Sequence, residues 1–193
     1  MNNKPALKFY FLCLLLSGEV FVKSASFAND FMPSSFSAEN LMDLNHEPVE
    51  GVSTLLRYAN SINMTLSASV LNSGEIYTVW FVIFNRPEKC ENPIQDKAQC
   101  GIADLYNPAT KSAVRWAAEA IADNEGHASF TGSLRKGKAP INLPGRDNLT
   151  KPYTAEVHLI VVPHGLPAAG IIKQEISAFK ASFQFESIHH RNN

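Results

Sequence analysis

The chain has 193 residues, 45% of them hydrophobic with 12 Phe, and its 17 Lys+Arg nearly cancel its 18 Asp+Glu. Such a balance excludes the broad positive field that nucleic-acid or anionic-membrane binding demands. It also leaves ample apolar material for the core of one ordinary domain.

The first 28 residues read as a secretory signal peptide. Lys4 and Lys8 form a positive start, residues 9–16 form a short apolar run, and Ser26-Phe27-Ala28 places small residues ahead of a cleavage point before Asn29. The apolar run is about half the ~20 residues of a spanning helix, and the charges of Glu19 and Lys23 prevent its extension. Cys13 leaves with the leader. The later apolar runs, residues 77–84 and 157–162, are strand-sized, so no transmembrane segment is expected after cleavage. The mature chain is expected to be exported, to a periplasm or to the extracellular space.

Residues 29–48 carry Phe31, Met32, Phe36, Leu41, Met42 and Leu44 among Ser, Asn and Pro, and read as an N-terminal arm with at most a turn of helix after Ser37. Residues 49–193 are expected to form the folded domain. Met64, Leu66, Ala68 and Val70 alternate with Thr65, Ser67 and Ser69, the period-two mark of a half-buried strand, and Asn72-Ser73-Gly74 supplies a turn. The chain returns through residues 76–85, with Thr78, Trp80, Val82 and Phe84 on one face and Tyr77, Val79, Phe81 and Ile83 on the other. An antiparallel strand usually keeps one wet face, so the second face needs a cover. That cover is either the arm or a long loop of this chain, or another protein docked on Tyr77 or Trp80.

Cys90 and Cys100 survive leader removal, and an even count in an oxidising compartment predicts a disulfide across the Pro-containing segment between them. Closing so short a loop stabilises by on the order of 3 kcal/mol. Thiolate metal binding is disfavoured, because no CxxC spacing or adjacent His accompanies the pair. In the same loop Asp104, Tyr106 and Asn107 set two polar groups around an aromatic ring, a combination suited to a carbohydrate or peptide ligand.

Residues 113–134 are ambiguous. Their Ala content favours a helix, whereas Asn124-Glu125-Gly126 followed by Ala128, Phe130 and Gly132 in alternation favours a hairpin, which is preferred. Residues 135–152 form a loop, 155–162 a strand ending near Pro163, and 175–187 a last strand. Short strands with Gly/Pro punctuation and long loops predict an all-β fold, a single antiparallel β-sandwich domain.

Glu156 and His158 share one strand face, and His164 comes after them on it by parity. These three are the candidate ligands for copper or zinc, with His46, His127, His189 and His190 available from elsewhere. Six residues of strand span about 20 Å, so one ion reaches both His158 and His164 only if the chain turns at Pro163. Without such a turn His158 is a hydrogen-bonded residue of the sheet, His164 a turn residue and the terminal His pair solvated. No HExxH, nucleophile elbow or phosphate-binding glycine loop occurs, and the protein is not expected to be an enzyme.

The segments YTVWFVIFNRPEKC, CGIADLYNP and AEVHLIVVPHG, in that order, resemble the signature blocks of a family of exported bacterial proteins of unknown function. The resemblance runs from about Thr54 to Ala178, departs at Pro163 and Leu166, and lacks the further C-terminal cysteines of several members. It implies a compact secreted β domain and brings no activity. The expectation is therefore an exported, non-enzymatic binding module for a protein or an extracellular ligand, without a cofactor. The alternative is a periplasmic copper- or zinc-binding protein.

Overall fold

The computed structural model describes residues 35–94, 96–137, 148–167 and 184–190. The expected leader over 1–28, the first part of the expected arm and most of the expected last strand lie outside the described residues. Among the described residues eight strands occur in chain order: β1 (Ser35–Met42), β2 (Pro48–Arg57), β3 (Ser61–Ala68), β4 (Ile76–Phe84), β5 (Ser112–Ile121), β6 (Ala128–Arg135), β7 (Glu156–Gly165) and β8 (Phe185–His189). They form one sheet in the order β5-β4-β7-β8-β1-β2-β3-β6, with every ladder antiparallel. The all-β class is as expected. The architecture is a single sheet curled until its end strands β5 and β6 approach, nearly a barrel. Among the described residues no helix is long and apolar enough to cross a membrane.

Gly132 shows how the two ends come together. A Cβ there would stand 2.8 Å from the Ala117 carbonyl oxygen of β5, so only glycine admits that approach. A second close approach occurs at Gly51, whose missing Cβ leaves room for Leu41 beside the bulge between Asn40 and Leu41.

Three sequence expectations change. Residues 35–42 of the expected arm are β1, laddered to β2 and touching β8. The 72–74 turn does not close a hairpin, because β3 pairs with β2 and β6 whereas β4 pairs with β5 and β7. Residues 112–121 and 128–135 are indeed strands around a turn at 123–127, yet no ladder joins them among the described residues. Both turns carry the chain between opposite ends of the sheet.

The concave side holds the main core, including Leu55, Met64, Leu66, Tyr77, Phe81, Phe130, Leu159 and Phe185. On the convex side Trp80, Val82 and Phe84 of β4 pack with Val114, Ile160 and Val162 and with Cys90, Cys100 and Leu105 of the connection between β4 and β5. The second face of β4 is therefore covered by a long loop of this chain. Each such side chain stabilises the fold by roughly 1.5–3 kcal/mol.

Polar groups tie the open end. Arg57, buried on β2, donates to the Pro152, Ala155, His189 and His190 carbonyls at 2.7 to 3.1 Å, fastening residues 152–155 and the end of β8 to the sheet. Burial lowers its guanidinium to about 10. His189 lies beside it on the concave side, fully buried and not solvated, with Ser37 Oγ 2.7 Å from Nδ1 and Ser53 Oγ 2.7 Å from Nε2. One hydroxyl donates and the other accepts, which suits a neutral imidazole. Burial first, and then the charges of Arg57, His158 and His190, push its pKa down to about 3.

Candidate functional site

The loop between β4 and β5 is built around the Cys90–Cys100 disulfide, with Cα atoms 5.1 Å apart. Asp104, buried beneath it, accepts from the amides of Glu91, Asn92 and Gly101 and from Asn92 Nδ2 at 2.9 to 3.1 Å. Burial opposes the charge on Asp104, but those donors prevail and hold its carboxyl below the usual range. Asn107 donates to the Lys89 carbonyl and accepts from the Ala109 amide. Both polar groups of the expected ligand site are thus spent on the loop's own backbone. Tyr106 is 77% exposed beside them.

The loop docks on β7 through one carboxylate. The Gln99 and Cys100 amides donate to Glu156 Oε2 and Oε1 at 3.0 and 2.9 Å, and His158 Nε2 lies 3.0 Å from Oε1. Burial works against the charge on Glu156, and His158 with the two amides outweighs it, keeping the carboxyl below its ordinary value. Burial also works against a charged His158, and its two carboxylate neighbours outweigh it, raising the imidazole above its ordinary value. The His158 ring meets Phe84 edge-on at 5.4 Å between centroids.

Ladder register brings a second carboxylate to this imidazole. His158 faces Ile188 and Ile160 faces Glu186 across β7 and β8, so Glu186 shares the convex face with His158. Glu186 Oε2 lies 3.6 Å from His158 Nδ1, an ion-pair distance beyond hydrogen bonding. Its Oε1 lies 3.0 Å from His46 Nδ1, and the two atoms are close but not aligned as a hydrogen bond. His46 occupies a left-handed position (φ 61°) in the β1–β2 turn, where Asp43 accepts from the Asn45 and Glu47 amides. At the other end His190 Nδ1 stands 3.6 Å from Glu156 Oε2. Imidazoles and carboxylates alternate along this edge in the order His190, Glu156, His158, Glu186, His46.

Beside this row lies a cavity of about 190 Å³ between sheet and loop. Val82, Phe84 and Ile160 form its sheet side, Ile94 and Ile102 come from the loop, and Leu44 joins from the β1–β2 turn. His46, His158 and Glu186 supply its polar wall. Leu44 and Ile102 are exposed and give the opening an apolar rim.

The structure brings Glu156 and His158 together and leaves His164 apart. β7 runs on through Pro163 to Gly165, so His158 and His164 stay about 20 Å apart along the strand. His164 Nε2 bonds Thr78 Oγ1 at 2.8 Å, which in turn accepts from Trp80 Nε1. No single ion reaches all three expected ligands. Among the described residues, the group that does converge is Asp123, Glu125 and His127, all exposed in the 123–127 turn, where Asp123 already accepts from the Glu125 and His127 amides. Tyr77 and Trp80 are both fully buried and offer no docking face, which corrects that expectation. Tyr77 hydroxyl accepts from the Asn72 amide and donates to Glu75.

Sequence reasoning missed Glu186 as a site residue. Parity along residues 185–189 does separate Glu186 and Ile188 from Phe185, Ser187 and His189, but which strand lies alongside is not written in the segment.

No protein-family model matches the chain, and comparison with curated proteins finds no match.

Proposed function

We propose that the protein is an exported, non-enzymatic binding module, and that its site is the cavity between the disulfide-closed loop and strands β4, β7 and β8. The observation that carries this reading is the cavity itself, about 190 Å³ and lined mainly by apolar side chains. Small-molecule sites share that character, a concave apolar lining with a few placed polar groups. An apolar cavity of about 150 Å³ is enough to take up benzene. The occupant is therefore a small molecule with a ring-sized apolar body. Copper or zinc on Glu156, His158 and His164 is the less favoured reading, because His164 is engaged with Thr78 a strand's length away.

Ligand-observed NMR with toluene and benzyl alcohol on the oxidised mature chain tests the proposal. Both probes are expected to bind, and Val82→Phe, which sets a ring in the cavity, is expected to abolish binding while the protein stays folded. Probe binding that is absent, or unchanged in Val82→Phe, refutes it.

A further inference from the structure

The polar wall of the cavity is not balanced. Glu156 has its oxygens filled by two amides and His158, whereas Oε1 of Glu186, a residue only 2% exposed, has no hydrogen-bond partner among the described residues. His158 stands between the two carboxylates, 3.0 Å from Glu156 and 3.6 Å from Glu186. His158 is thus shared between two carboxylates and sits nearer to Glu156, which leaves Glu186, the one that lines the cavity, the less closely served. A buried carboxylate oxygen without a hydrogen bond is costly, and a donor carrying positive charge relieves it most.

A second buried atom without a hydrogen bond stands next to it. His46 Nδ1 lies 3.0 Å from Glu186 Oε1, out of alignment with it. Both atoms are closed off as they stand, and one ammonium group, with three N–H donors, can serve both once the His46 ring turns aside. His46 belongs to a turn at the rim and its side chain is 34% exposed, so its ring has room to move aside as a ligand enters. His190, the remaining imidazole of the row, faces Glu156 rather than the cavity.

We propose that the cavity selects a small primary amine with a compact apolar body, its ammonium group seated between Glu186 and His46. The proposal rests on the binding-module reading above and narrows it to a ligand class. The apolar body lies against Val82, Phe84 and Ile160, under Ile94 and Ile102. Cavity size limits that body to about one ring, since roughly 150 Å³ holds benzene. A carboxylate of the same shape is repelled by Glu186, and an alcohol supplies one donor without the charge.

The test compares benzylamine, benzyl alcohol and benzoate, near-equal in shape, by calorimetry and ligand-observed NMR on the oxidised mature protein at pH 7.5. Benzylamine is expected to bind at least about tenfold tighter than benzyl alcohol, with benzoate weakest. Glu186→Gln is expected to erase the preference while benzyl alcohol still binds. Equal binding of amine and alcohol overturns the amine assignment and leaves the cavity reading standing. Binding of none of the three overturns both. A preference that survives Glu186→Gln overturns the seat at Glu186. Should that variant fail to fold, the three-way comparison on the unaltered protein decides the ligand class alone.

Discussion

Lowering the pH from 6.5 to 4.5 isolates His189. Its imidazole titrates near 3 in the folded protein against an ordinary 6.5, so below pH 6.5 the unfolded chain binds a proton that the folded chain refuses. Stability then falls with a slope that approaches about 1.4 kcal/mol per pH unit, or about 2.3 kcal/mol across the window, since the unfolded imidazole is already half protonated at pH 6.5. The other two shifted groups of this region act outside it. His158 is raised in the fold, so its contribution is complete below 6.5 and is lost only as pH rises through its folded pKa. Glu156 is lowered, so its contribution is complete above 4.5 and is lost as pH falls through its folded pKa. Urea unfolding monitored by tryptophan fluorescence, at half-unit steps between pH 7.5 and 4.5, gives the profile. His189→Gln keeps an amide between Ser37 and Ser53 but has no proton to gain, and its profile is expected to be flatter than wild type by about 2.3 kcal/mol over the window. Parallel profiles for the two proteins refute the argument. So does a ¹³C-histidine NMR titration in which His189 changes near pH 6.5.

Glu156→Gln leaves two loop amides and a raised imidazole without their carboxylate, and is expected to cost about 3 kcal/mol in urea unfolding and to lower the His158 pKa measured by NMR. Trp80→Ala empties the largest fully buried side chain under the loop, and a loss of about 3–5 kcal/mol by the same assay is expected, whereas Tyr106→Ala changes stability by less than about 0.5 kcal/mol. Gly132→Ala forces a methyl against the Ala117 carbonyl, and a cost of about 1–3 kcal/mol is expected, visible as a lower urea midpoint with unchanged slope.

How much of this was legible in the chain depended on which face of each strand was apolar. β3 and β4 announced themselves by alternation and by a doubly apolar run, and the need for a cover over Trp80 came from the residues alone. β1 hid because its faces are reversed: Ser35, Ser37 and Glu39 turn toward the concave side while Phe36, 61% exposed, faces out. The hydroxyl of Ser37 is placed there to meet His189, a partner 152 residues away. Pairing was illegible for a related reason. Turn residues at 72–74 and 124–126 report that the chain bends, and parity reports the face, but neither reports which strand lies alongside. The disulfide needed only two cysteines. The row of Glu156, His158, Glu186 and His46 needed the register of β7 with β8 and the path of the β1–β2 turn, both products of the whole sheet.

The seam at Gly132 has a consequence for how copies of the chain meet one another. β5 and β6 are the two edges of the sheet, and an edge carries backbone donors and acceptors that template pairing with another molecule. Here each edge is screened by the other, approaching as near as a missing side chain allows. A substitution that pries the seam open therefore releases two adhesive edges at once, and the loss of solubility would exceed what the lost folding energy alone accounts for.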